Sequence, residues 1–225
     1  MPAELEKLIT LTSPQSPISE AYRALRTNIQ FASFDKPART IACTSTGPSE
    51  GKTTTVANLA IAFSQGGHRV ILVDADLRRP SLHRLFGVAN EVGLTSMFID
   101  DLCQEPSLAL QETIVPNLRL LVSGPLPPNP SELLGSERMR RLIVRLREEA
   151  DFVLFVSPPI LAVTDAAILG HQVDGVLLVL SAYRTKRDHA AKAKSLLEKV
   201  NANILGVVLN NVKLDQSLYQ YYAES

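Results

Sequence analysis

Lys52 and Thr53 close the stretch Ser45-Thr-Gly-Pro-Ser-Glu-Gly-Lys-Thr53, whose residue types suit the holding of a phosphate chain. A small, Gly-containing turn before a helix offers backbone N–H groups and the helix N-terminus to an anion. Lys52 then reaches the terminal phosphates, and the Thr53 hydroxyl serves as a ligand for Mg²⁺. The nucleotide-contacting set predicted here is Thr46, Gly47, Pro48, Ser49, Glu50, Gly51, Lys52, Thr53 and Thr54. The match to G-x-x-x-x-G-K-[ST] is imperfect: Thr46 stands at the first Gly position and Gly47 comes one place late.

A second group follows in Ile71-Leu-Val-Asp74-Ala-Asp76-Leu-Arg78. Residues two apart in an extended segment point the same way, so Asp74 and Asp76 are expected to converge beside the phosphate loop. Two carboxylates so placed can order Mg²⁺ and its waters or accept a proton from an attacking hydroxyl. The assignment is Lys52, Asp74 and Asp76 as catalytic residues, with Thr53, Asp76 and Asp74 around the metal. Arg78 is free, on this reading, to neutralise a carboxylate or a phosphate.

These groups need a scaffold that brings two strand ends together. Short apolar runs at Thr40–Thr44, Val70–Asp74, Leu118–Val122, Phe152–Val156, Val176–Leu180 and Ile204–Leu209 read as strands covered on both faces. Helical patterns at Thr53–Ser64, Ser131–Glu149, Thr164–Gln172 and Thr185–Val200 are long enough for crossovers. The expected fold is therefore α/β, a doubly wound and mostly parallel sheet of the P-loop NTPase type with its site at the strands' C-terminal ends. Residues 1–16 read as a loose arm, 17–213 as the domain and 214–225 as a tail. Pro125–Pro130 is a stiff connector.

The bulk composition restricts the function classes. The 225 residues carry 23 basic and 23 acidic side chains, so overall charge gives no argument for nucleic acid as a partner. Two scattered cysteines, Cys43 and Cys103, make neither a disulfide framework nor a zinc site, and the expected compartment is cytoplasmic. The start is unlike a signal peptide, and no apolar run approaches the ~20 residues that cross a bilayer. Contact with a membrane is expected through a partner. The basic helix Thr185–Val200 reads as a solvated face.

Taken together, Asp74-x-Asp76-x-Arg78 with Pro48-x-Glu50-Gly51-Lys52-Thr53 resembles the bacterial tyrosine kinases of capsular and exopolysaccharide production. Three further segments agree with that family. Glu20, Arg23 and Arg26 match its E-x-x-R-x-x-R helix, which packs subunits into a ring. Gly124 to Leu134 matches its proline-rich connector, and Tyr219, Tyr221 and Tyr222 resemble its C-terminal tyrosine cluster. Three of the chain's five tyrosines thus fall in its last seven residues. The resemblance implies ATP and Mg²⁺, phosphorylation of those tyrosines in trans within a ring, a membrane-embedded activator segment and a tyrosine phosphatase as partners. It also implies Asn210 at the adenine end of the sheet.

One position departs from the family pattern. Its third motif is an apolar strand ending in Asp before Pro-Pro, and here Val156 occupies the Asp position in Val153-Leu-Phe-Val-Ser-Pro-Pro159. Valine accepts no hydrogen bond, and losing a group that supports the metal shell typically costs about 10–100-fold in affinity or activity. Ser157 is a weak substitute and Asp165 a candidate replacement. A nucleotide-binding ring component with weakened transfer is therefore the first alternative. A partitioning ATPase of the Min/Par type is the second; those proteins carry another lysine five places before the P-loop Lys, where Gly47 stands.

Overall fold

The computed structural model describes residues 4–32, 37–98 and 109–213. Seven strands form one sheet in the order β3-β4-β2-β5-β1-β6-β7. They are β1 (Thr40–Ser45), β2 (Val70–Asp74), β3 (Gln111–Glu112), β4 (Leu118–Leu121), β5 (Phe152–Val156), β6 (Gly175–Ser181) and β7 (Ile204–Asn210). Neighbours are parallel except β3 on β4, an antiparallel edge pair too short to show as a pattern in the sequence. The expected doubly wound sheet is what forms. The inner strands β1, β2 and β5 are almost wholly buried, in keeping with their unbroken apolar runs.

On one face lie α1 (Ile9–Thr12), α2 (Pro17–Ala32) and α3 (Lys52–Gln65); their core gathers Ile29, Val56, Leu59 and Phe63 with Cys43, Leu72 and Val156 of the strands. On the other lie α5 (Pro130–Gly135), α6 (Glu137–Glu149), α7 (Asp165–Gln172) and α8 (Arg187–Lys199), packed through Leu134, Leu142, Leu146, Leu169 and Leu197. A short α4 (Leu82–Phe86) follows the acidic segment. Among the described residues no helix is long and apolar enough to cross a membrane. Lys186, Arg187, Lys192, Lys194 and Lys199 of the α8 region are exposed, as expected of a solvated face.

Two expectations need correction. Ser131–Glu149 is not one helix: Ser136 is extended (φ −73°, ψ 157°), and its hydroxyl accepts a bond from Met139 N (3.2 Å), so it caps α6 and ends α5. Residues 4–16 are not loose. Leu8 and Thr10 are fully buried, and the buried amide of Asn58 on α3 accepts from Thr10 N (2.9 Å) and donates to Lys7 O (2.9 Å). Ser19 Oγ adds a bond to Ser13 O (2.7 Å). A buried Asn left without these partners would be costly, so the arm and α3 hold each other.

Candidate functional site

β1 and β2 end on the same edge of the sheet with β5 between them, which brings the phosphate loop and the acidic segment together. The loop after Ser45 is fixed by its own glutamate. Glu50 Oε2 accepts from Thr46 N (2.7 Å) and Gly47 N (3.1 Å), while Oε1 accepts from Thr46 Oγ1 (2.7 Å) and from Thr185 Oγ1 beyond β6. Glu50 is thus a brace within the loop. Gly51 turns the chain at φ 86°, and a Cβ there would lie 1.8 Å from Asn210 Nδ2. Glycine is needed for both reasons. Asn210 Nδ2 also donates to Glu50 O (3.0 Å), so the last strand holds the back of the loop.

α3 opens toward the site. Its first helical bond runs from Thr55 N to Gly51 O (2.9 Å), and no side chain caps the turn. The N–H groups of Lys52, Thr53 and Thr54 therefore lack helical acceptors and face outward from a positive helix end. Lys52 is nearly buried, and its Nζ lies 3.2 Å from Asp76 Oδ2. Open N–H groups beside a buried lysine fit a phosphate chain. Thr53, Asp74 and Asp76 are the groups that would hold Mg²⁺. Among the described residues no three His, Cys, Asp or Glu side chains gather as a metal cage.

Asp74 and Asp76 both reach this edge but face different partners. Asp76 Oδ2 faces Lys52, and its Oδ1 accepts from Arg79 N (3.1 Å). Asp74 is fully buried; its Oδ2 accepts from Ser81 N (2.8 Å) and Leu82 N (2.9 Å) at the start of α4, and its Oδ1 from Asp76 N (3.3 Å). Burial pushes the Asp74 carboxyl up to about 6, with the two backbone N–H bonds and Lys52 pulling against that rise. Thr53 completes the group, accepting from Ser81 Oγ at 3.2 Å. The role of Ser81 and α4 was missed from sequence, since a five-residue helix leaves too short a pattern to be read.

Arg78 does not turn to either of these carboxylates. Its Nε and Nη2 donate to Asp165 Oδ2 (2.9 Å) and Oδ1 (3.0 Å), and Ser131 Oγ adds a bond to Asp165 Oδ1 (2.7 Å). Burial alone would raise Asp165, but Arg78 and Ser131 outweigh it and hold its carboxyl below the usual range. Asp165 is therefore a clamp for Arg78, joining the acidic segment to α5 and α7, and not a replacement for a carboxylate at position 156. Ser157 is no replacement either: its hydroxyl donates to Cys43 O (3.0 Å). Val156 is fully buried, level with Cys43 on β1 and Asp74 on β2.

Of the α2 residues, Glu20 and Arg23 pair on the surface (2.7 Å). Arg26 leaves that stripe and donates to Ala62 O (2.8 Å) near the end of α3, where a cation offsets the helix's negative terminus. Tyr219, Tyr221 and Tyr222 lie outside the described residues, as does Cys103.

Residues 41–225 match the family model of the CobQ/CobB/MinD/ParA nucleotide binding domain. The chain is 46% identical over 216 residues to tyrosine-protein kinase YwqD of Bacillus subtilis, covering 96% of this chain and 90% of that one. It is 36% identical to tyrosine-protein kinase wzc of Salmonella typhimurium, covering 96% of this chain but only 30% of the relative. In structure it is similar to the kinase domain of Escherichia coli tyrosine kinase ETK, with a TM-score of 0.87 and 34% identity over 92% of this chain and 81% of that one.

Proposed function

We propose, for a chain that belongs to the CobQ/CobB/MinD/ParA nucleotide-binding family and within it to the bacterial tyrosine kinases, that it transfers the γ-phosphoryl group of ATP to its own C-terminal tyrosines. The observation that carries this reading is the approach of Lys52 Nζ to Asp76 Oδ2 (3.2 Å) at the uncapped start of α3, in a chain whose end bears Tyr219, Tyr221 and Tyr222.

The N–H groups of Lys52, Thr53 and Thr54 bind the phosphates, and Lys52 offsets charge on the γ-phosphoryl oxygens as they part from ADP. Thr53, Asp74 and Asp76 would hold Mg²⁺, which would supply positive charge to offset that of the phosphates. Asp76 keeps Lys52 in line. Asp74, raised to about 6, is close enough to neutral pH to take the phenol proton, whose own pKa is near ~10. Its recessed position requires the Ser81–Leu82 segment to shift when a tyrosine enters. Asn210 fixes the loop from behind and would border the adenine end.

Acceptors belong to a neighbouring copy in a ring assembled through the Glu20/Arg23 surface of α2, with Arg26 acting through its hold on α3. Each phosphotyrosine adds roughly −1.5 to −2 charges, which loosens the ring until a tyrosine phosphatase removes them. The partner is a membrane-embedded activator segment, a reading supported by the greater length of wzc, and on that reading the chain works in the cytoplasm at the membrane's inner face. The process served is capsular or exopolysaccharide synthesis.

Mass spectrometry of purified protein before and after ATP and Mg²⁺ is the test. Phosphate on Tyr219, Tyr221 or Tyr222 is the expected result; phosphate elsewhere only would overturn it. Buried Val156 favours a second reading, a nucleotide-binding ring component with weak transfer. Nucleotide binding without phosphotyrosine, restored by Val156→Asp, would select that reading.

A further inference from the structure

Beside the acidic segment lies a cleft of about 530 Å³. Its polar wall carries Arg79, His83 and Arg84, and its apolar wall carries Pro80, Pro125 and Leu126, the last 63% exposed. Among the described residues no carboxylate lines it. Arg78, at its edge, is already neutralised by Asp165. Glu4, whose carboxylate Arg84 helps to hold below its usual range, is itself bonded to Lys7. His83 Nδ1 is buried with no hydrogen-bond partner among the described residues. The floor is stiff, because Asn90 Oδ1 accepts from Gly124 N (3.0 Å) and Ser123 Oγ (3.1 Å).

We infer that this cleft binds a phosphotyrosine: the phosphate on Arg79 and Arg84, the ring against the proline and leucine wall. A phosphate monoester carries roughly −1.5 to −2 charges at neutral pH, matching two guanidinium groups that have no ion-pair partner across the cleft among the described residues. The apolar wall distinguishes an aromatic phosphate from inorganic phosphate, which has nothing to place there.

The position gives this site a role in the reaction, and that role rests on the reading of the tail tyrosines as acceptors. Arg79 is three residues from Asp76, and its N–H is bonded to that carboxylate. Three residues span at most about 11 Å. Tyr219 and Tyr222 are also three apart. A modified tyrosine held in the cleft therefore presents a neighbouring, unmodified one to the Lys52–Asp76 site. The first phosphorylation makes the next ones faster.

The test uses dephosphorylated full-length protein without nucleotide, with fluorescent peptides of residues 214–225 either unmodified or phosphorylated on Tyr222. The phosphopeptide should bind at least about 10-fold tighter, which is ~1.4 kcal/mol. The double substitution Arg79→Ala/Arg84→Ala should reduce that preference to within 2-fold of none, roughly one lost charge-assisted pair. Unchanged affinity for ADP checks that the variant is folded; should it not fold, Arg79→Lys/Arg84→Lys replaces it, with the preference weakened but present. Inorganic phosphate should displace the phosphopeptide only at far higher concentration. Equal binding of the two peptides, a preference indifferent to both double substitutions, or displacement by phosphate at peptide concentrations would each overturn the inference. Because no nucleotide is present, failure of tail phosphorylation with ATP would reject the kinase reading without touching this result.

Discussion

Val156 and Asp74 stand opposite one another on adjacent parallel strands, both fully buried. The central strand of the site thus ends in a hydrocarbon where it meets the acidic segment, and that contact contributes to the raised affinity of Asp74 for a proton. The same row continues to Cys43 on β1, whose thiol burial pushes up to about 12, out of reach of redox or nucleophilic chemistry at neutral pH.

Replacing Val156 with Asp puts a second carboxylate beside Asp74. Without nucleotide the two repel in a dry setting, and stability should fall by several kcal/mol. With ATP and Mg²⁺ the extra carboxylate supports the metal shell, and tail phosphorylation should rise about 10–100-fold. Thermal unfolding with and without Mg·ADP, alongside phosphotyrosine detection, checks both halves. A less stable protein with no gain in phosphate would show that position 156 does not limit transfer.

Asp74 sets a pH dependence whose sign follows from its raised value. The folded protein holds that proton up to about pH 6, while an unfolded aspartate releases it near 3.8. Stability from this group is therefore complete below pH 4 and declines as pH rises to about 6, by on the order of 3 kcal/mol. Asp74→Asn should remove that decline, still accept bonds from Ser81 N and Leu82 N, and lose phosphoryl transfer. Urea unfolding at pH 4.5 and 7.5 reads the difference between the two proteins.

Lys52 and Asp76 form a nearly buried pair with side chains only 8% and 10% exposed. Lys52→Met leaves the carboxylate unmatched and should cost about 3–5 kcal/mol. Adding Asp76→Asn should return much of that stability, while nucleotide affinity stays lost in both variants. Calorimetry and denaturation on the four proteins of the cycle separate the structural from the binding role.

Gly51 answers to both its φ of 86° and the 1.8 Å approach of Asn210. Gly51→Ala should destabilise the loop by about 1–3 kcal/mol and weaken nucleotide binding. Adding Asn210→Ala relieves the collision but not the backbone strain, so recovery should be partial. Full recovery would mean that only the collision matters.

The scaffold was legible because its strands are unbroken apolar runs and its chemistry sits at their ends. Lys52 and Asp76 could be expected near one another because each follows the end of a buried strand, while the order that sets those two strands on either side of β5 could not be read. The partners of Arg78 and Glu50 could not. Asp165 lies 87 positions from Arg78 and Thr185 lies 135 from Glu50. Such pairings depend on how loops meet after the sheet is built, which no local pattern records. The docked residues 4–12 escaped for a related reason: their anchor is Asn58, a buried amide in a helix that otherwise reads as apolar.

β7 is an edge strand and runs parallel to β1, so its C-terminal end lies at the same rim where Lys52 and Asp76 meet. A terminus leaving from the opposite rim would have to run back the length of a strand before meeting any catalytic group. From residue 213 to Tyr222 the chain covers at most about 30 Å when drawn straight. On the proposed reading of Tyr222 as an acceptor for a neighbouring copy, that reach limits how far apart two such copies can stand.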